Sequence, residues 1–197
     1  VSKLWVTPSG ATVKHLQEIE PLENGLRVTE TVTLPKELDD VARVGINFEL
    51  NKELDQYTYF GVGPHESMPD RAIGRVGKYS STVEKQLTDY IKPQECGGHV
   101  GVRWFEISDS PAGGLAKNAR GIRIELDKPR MVTVLPVTSE ALADATHNIY
   151  VKRSGTTVVT IDAIHRGVGT ASCGPDTLAQ YKIKPGTYKI TWTLLAL

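Results

Sequence analysis

Apolar and polar positions alternate along most of this chain. The stretch "LRVTETVTL" (Leu26–Leu34) alternates, "VGINFEL" puts Val44, Ile46, Phe48 and Leu50 on one face, and the C-terminal "YKITWTLLAL" does the same with Tyr188, Ile190, Trp192 and Leu194. Shorter runs repeat the pattern at "GIRIEL" (Gly121–Leu126) and "TVVTIDA" (Thr157–Ala163). Successive side chains of an extended chain point to opposite faces. A period of two therefore predicts strands with one face on a core and the other in water. Turn signals separate these runs: "ENG" at Glu23–Gly25, "SPAGG" at Ser110–Gly114, "RSG" at Arg153–Gly155 and "KPG" at Lys184–Gly186;. Helical spacing is scarce. "TSEALADATH" (Thr138–His147) predicts one or two turns, with Ser139 as the cap and Leu142 facing inward;. Short strands with frequent turns predict a single all-β domain over residues 1–197, a sandwich or barrel;.

From Gly61 to Trp104 the alternation fades and polar residues crowd together. A long segment without a period predicts either a functional loop or one packed against something else. Composition adds limits. Of the residues, 40% are hydrophobic, enough to bury a core;. Basic and acidic residues balance at 23 each, which argues against a nucleic-acid or anionic-membrane partner recognised through bulk charge;. No apolar run approaches the ~20 residues of a membrane helix. No basic-then-apolar pattern of a signal peptide opens the chain;.

Several chemistries can be weighed residue by residue. "GRVGKYS" (Gly74–Ser80) fails as a phosphate loop: Ala72 stands where a glycine is needed, and Tyr79 follows Lys78 where Ser or Thr is needed;. Cys96 and His99, with His165 and Cys173, could be drawn into a zinc site, but the wide spacing of the far pair carries no information;. The same two cysteines make no disulfide framework and read as free thiols. Cys173 with His165 is a weak nucleophile pair, because nothing nearby lowers the thiol pKa. Glu66, Asp70 and Glu95 lie near Arg71, Arg75 and Arg103 in the polar middle. Paired carboxylates can run glycoside chemistry. The plainer reading is a structural network of Glu66, Asp70, Arg71, Glu95 and Arg103, in which arginines clamp carboxylates and pin the loop. Adjacent His65 and Glu66 would point to opposite faces of an extended chain.

Longer segments carry a resemblance. "YFGVGPHESMPDR" (Tyr59–Arg71), "YSSTVEKQLTDYIKPQECGGHVGVRW" (Tyr79–Trp104), "THNIYV" (Thr146–Val151), "IDAIHRGVGTASCGPDT" (Ile161–Thr177) and "YKIKPGTYKITWTL" (Tyr181–Leu194) resemble, in order and spacing, the C-terminal domain of bacterial lactase-type family 2 β-galactosidases. The resemblance implies a large antiparallel β-sandwich (a supersandwich) similar to the aldose mutarotase fold. It also implies that this is the fifth and last domain of a multidomain glycoside hydrolase and begins inside that domain, without its first strands. The catalytic glutamates would sit on an upstream TIM barrel against which this domain packs, acting on a β-galactoside or related sugar. It implies no cofactor and no metal in this chain, and leaves a divalent cation to the barrel.

In the family, the loop after "H-x-G-x-G" carries a tryptophan that packs on the bound sugar. Cys173 stands at that position, so the resemblance implies a sugar-site rim of Cys173, Ser172 and His165 that lacks the aromatic. His99 and Val100 also depart from the family pattern. Two other readings stay open: a stand-alone carbohydrate-binding module, and a mutarotase-like epimerase. The epimerase would need an acid and a base from among His65, Glu66, Glu95 and His165.

Overall fold

The chain's fold, seen in a computed structural model, is described for residues 1–109, 120–169 and 174–197. These residues form ten strands: β1 (Ser2–Val6), β2 (Thr12–Leu22), β3 (Gly25–Leu34), β4 (Arg43–Asn51), β5 (Gln56–Gly63), β6 (Arg75–Thr82), β7 (Gly98–Ser108), β8 (Gly121–Leu135), β9 (Thr156–His165) and β10 (Gly186–Ala196). Every ladder among them is antiparallel. The "ENG" signal becomes the β2–β3 hairpin, with Leu22 opposite Gly25. Gly25 is required by close approach, because a Cβ there would lie 1.8 Å from the Leu194 carbonyl oxygen of β10;.

The strands run β1-β2-β3-β10-β8-β7-β5-β6, and β9 branches from β8 with β4 on its far side. The branch lies within β8. Its residues Ile122–Leu126 pair with β10, whereas Met131–Leu135 pair with β9. The change of partner falls at Asp127–Arg130, where Pro129 has no N–H to give to a ladder;. The forked sheet folds into a sandwich. Ile46 and Phe48 of β4 and Val159 and Ile161 of β9 pack in one apolar cluster with Ile124 of β8 and Ile190 and Trp192 of β10. The rings of Phe48 and Trp192 stack across it at 5.8 Å;. Tyr57, Tyr59 and Phe105 extend the same cluster into β5 and β7.

The predicted strands at Leu26–Leu34, Val44–Leu50, Thr157–Ala163 and the C-terminus fall in β3, β4, β9 and β10. Three expectations change. β8 continues past Leu126 to Leu135, through a proline that interrupts the pattern but sits at the change of partner. The segment Gly61–Trp104 is not irregular throughout: it holds the end of β5, all of β6 and the first part of β7. Central β5 is buried on both faces along much of its length, and edge strand β6 is exposed on both over its first residues, so neither shows alternation;. The helix α1 is Ser139–Asp144, and its cap is Thr138 rather than Ser139, with Thr138 Oγ1 accepting from the Ala141 N–H at 3.1 Å;. Leu142 is buried as expected. The "SPAGG" turn signal lies outside the described residues.

The core predicts its own test. Ile161 is fully buried between β4 and β8. Ile161→Ala should cost about 2–5 kcal/mol of unfolding free energy, read from urea denaturation followed by circular dichroism.

Candidate functional site

The C-terminal end of β9 leads into the segment singled out by its glycines. Asp70, on the β5–β6 connection, meets it there. Asp70 Oδ1 accepts from the Val168 N–H at 3.1 Å and Oδ2 from the Gly169 N–H at 2.7 Å. Gly167 must be glycine, because a Cβ there would sit 2.6 Å from Asp70 Cγ. Gly169 takes φ +60, the left-handed region open to glycine;.

Arg166 braces the other side of this segment. Its guanidinium donates to both oxygens of Asp40 at 2.7 and 3.0 Å, to Asp176 Oδ1 at 2.7 Å, to Thr177 Oγ1 at 2.8 Å and to the Gly167 carbonyl at 3.1 Å. Lys182 Nζ reaches Asp176 at 2.6 Å and Asp40 at 3.2 Å. Lys182 and Arg166 together hold the Asp176 carboxyl well below the usual carboxylate range. Before residue 170 the backbone is thus tied to Asp70, and after residue 173 the side chains of Asp176 and Thr177 are tied to Arg166. Ser172 and Cys173, two of the three predicted rim residues, lie outside the described residues. The third, His165, is buried. Its Nδ1 bonds the Arg166 carbonyl, and its Nε2 lies 3.9 Å from Glu95 Oε1.

The residues expected to form one network fall into separate groups. Glu66 accepts from Arg71 Nη2 at 2.7 Å, Thr88 Oγ1 at 2.8 Å, the Gly97 N–H at 2.9 Å, and Tyr90 Oη. Burial raises the Glu66 pKa, but the donors from Tyr90, Gly97, Thr88 and Arg71 outweigh it and hold the carboxyl below its ordinary value;. Glu66 thus ties the turn after β5 to the irregular stretch before β7. Asp70 serves the glycine segment. Glu95 pairs with Arg43 of β4 at 2.7 Å. Arg103 belongs to none of these: it donates to the Gly101 carbonyl at 3.0 Å and lies over the Phe60 ring;. The sequence reading missed Asp40, Arg43, Arg166, Asp176 and Lys182. Asp40 and Arg166 are 126 positions apart, and no local pattern links them.

The chemical alternatives meet the same geometry. His99 is fully buried, with Nε2–H donating to Gln86 Oε1 at 2.6 Å and Nδ1 accepting from Tyr59 Oη at 2.9 Å, as the network assigns the tautomer;. Burial pushes its pKa down to about 4, so it stays neutral. Cys96 is a buried free thiol packed with Leu135, Val137 and Leu142, and burial raises its pKa to about 11. Among the described residues no three His, Cys, Asp or Glu groups converge as metal ligands. The epimerase reading asks for a free base. Glu66 already receives four donors and Glu95 is ion-paired, while His65 is exposed and His165 buried.

In this all-β sandwich Glu66, Asp70 and Glu95 each brace a different part of the chain. The chain belongs to the β-galactosidase small chain family, whose profile matches residues 7–194. It is 30% identical over 162 residues to a β-galactosidase of Actinobacillus pleuropneumoniae, covering 82% of this chain and 15% of that protein. It is 36% identical over 142 residues to a β-galactosidase of Lactobacillus delbrueckii subsp. bulgaricus, covering 72% and 13%. It is 32% identical over 157 residues to a β-galactosidase of Kluyveromyces lactis, covering 79% and 14%. The chain therefore spans only 13–15% of the length of these relatives.

Two outcomes follow from the geometry. Glu66→Ala removes the common acceptor of four donors and should cost about 1–3 kcal/mol, the scale of leaving buried donors unpaired. Arg71→Ala removes one half-exposed partner and should cost no more than about 1 kcal/mol;. Thermal unfolding of both variants tests that order. Cys96 should react with a thiol reagent at pH 8 only after unfolding, which labelling of a Cys173→Ser chain with and without urea would show.

Proposed function

We propose that this chain is a non-catalytic domain of a β-galactosidase that hydrolyses terminal β-D-galactosides. It packs on an upstream TIM barrel and completes the rim of the sugar site. The observation that carries this reading is an apolar face left open on a chain that matches only a small part of known β-galactosidases. Between β1–β3 and β4 lies a groove of about 640 Å³, lined by the apolar Trp5, Val13, Val32, Ile46, Phe48 and Trp192 together with the polar His15, Gln17, Glu30, Arg43 and Asn47. Trp5 of β1 and Ile19 of β2 are exposed on the groove side, whereas Leu4 and Val6 are exposed on the other face of β1;. Contiguous apolar surface of this kind marks a protein–protein contact, here with the rest of the polypeptide.

The rim assignment rests on the loop. Its two flanks are braced by Asp70 and by Arg166 with Asp176, which supports a rim of Ser172, Cys173 and His165 as the sugar contact. Position matters for such a contact, since a misplacement of about 1 Å can cost on the order of a hundredfold in rate. A retaining glycosidase needs two carboxyl groups roughly 5 Å apart around the glycosidic bond. The carboxylates discussed above are committed to structural donors, so catalysis falls to the barrel.

The purified chain should not turn over a nitrophenyl β-galactoside, whereas the full-length enzyme should. In the full-length enzyme, Cys173→Trp should lower KM for disaccharides several-fold with kcat nearly unchanged, since a stacked aromatic stabilises ground and transition states alike. Turnover by the pure chain would overturn the non-catalytic reading. Kinetics identical to wild type on every disaccharide would overturn the rim assignment.

A further inference from the structure

One buried acid is used by none of these braces. Asp162 of β9 is 1% exposed, and neither carboxylate oxygen has a hydrogen-bond partner. It sits at an irregularity in the β4–β9 ladder: Val44 pairs with Ile164 and Gly45 with Asp162, leaving Ala163 as an extra residue;. Gly45 makes room for the carboxyl, since a Cβ there would lie 2.5 Å from Asp162 Oδ1.

The charged and titratable groups around it come from every neighbouring element. From β4, Arg43 Nε lies 3.5 Å from Asp162 Oδ1, an ion-pair contact without hydrogen-bond geometry. Arg43 Nη2 is given to Glu95, from the stretch before β7, at 2.7 Å. From β9 itself, His165 Nε2 faces Glu95. Asp70, from the β5–β6 connection, acts on His165 from the loop side. From β8, Arg130 donates to Asp127 and to the Ala163 and Lys189 carbonyls. Lys128 lines the cleft of about 420 Å³ that Asp162 and His165 border. Thr133 Oγ1, on the same face of β8, is also buried without a partner.

The charges can be summed. Arg43 and Glu95 cancel. Burial, and then Arg43, disfavour the imidazolium of His165. An ionised Asp162 would add a buried negative charge that no donor solvates, and such a charge is normally removed by protonation.

We propose that the β4–β9 bulge is a proton-responsive joint: Asp162 is held as the neutral acid, and its ionisation draws Arg43 away from Glu95 and loosens the start of the segment after His165, where the Arg166 N–H donates at 3.0 Å to the carbonyl of Ala42, the residue before Arg43. The inference rests on this geometry and not on the activity of any larger enzyme. Burial raises the Asp162 pKa to about 7, which Arg43 opposes and Glu95 reinforces. The sign follows from a folded pKa above the unfolded one. The folded chain holds a proton that the unfolded chain releases, so this group's contribution to stability falls as pH rises from about 4 to about 7 and is flat above;. His165, with a lowered folded pKa, acts in the opposite sense below about 6.5, so the Asp162 effect is read as a difference from a variant;.

The test uses the 197-residue chain. Carboxyl ¹³C titration should give Asp162 a midpoint near 7, and the melting-temperature advantage of Asp162→Asn over wild type should grow from pH 5 to pH 7 and then level off. Amide exchange at Arg166–Gly169, corrected for the intrinsic rate, should speed up several-fold across the same midpoint in wild type. If Asp162→Asn does not fold, the wild-type titration and exchange decide the matter alone. An Asp162 midpoint near 4, or exchange at these amides that ignores pH, would overturn the proposal.

Discussion

Arg130 holds the fork on which this fold depends. It is almost fully buried, yet each of its three guanidinium nitrogens donates a hydrogen bond. It pairs with both oxygens of Asp127 at 2.9 and 2.7 Å, and it donates to the Ala163 carbonyl of β9 and the Lys189 carbonyl of β10. Asp127 and Arg130 bracket the point where β8 leaves one partner strand for another. A strand that changes partners leaves carbonyls without a ladder. A planar, permanently charged donor can satisfy several of them in fixed directions. Buried arginine is costly unless it is paired and hydrogen-bonded, and here those bonds also tie the two branches of the sandwich together;.

From that fork the rest of the architecture follows. β9 carries β4, and the apolar faces of these two strands close over β8 and β10, with Phe48 stacked on Trp192. Beyond the far end of β9 the Arg166 and Gly167 N–H groups donate to the Ala42 and Tyr181 carbonyls, and ion pairs then take over. Arg166 gathers Asp40, Asp176 and Thr177, while Asp70 receives two consecutive amides from the opposite side. The division of labour is physical. Non-directional burial holds the strands, and directional, charge-assisted bonds hold the segments that cannot pair.

The same division explains why the polar residues of a glycosidase-family domain here look catalytic in composition and structural in place. Glu66, Asp70 and Glu95 are the carboxylates a glycosidase reading would choose. Each accepts from donors brought by a different part of the chain. Asp162 is the exception. Neither of its oxygens has a hydrogen-bond partner, and it sits at the irregular pairing with β4.

The all-β class, strands β3, β4, β9 and β10, the β2–β3 turn and the family were legible in the sequence, because a half-buried strand writes its environment into neighbouring residues as alternation. β5 and β6 were not, since the one is covered on both faces and the other exposed along much of its length. The grouping of the polar residues was not legible either: the dense charges near Glu66 and Asp70 suggested one network, and they form several. Only the tertiary structure decided that Arg166 meets Asp40, that Arg43 stands between Glu95 and Asp162, and that Arg103 stands apart. Those contacts join residues far apart in the chain, and a charge carries no sign in the sequence of which distant charge it will meet.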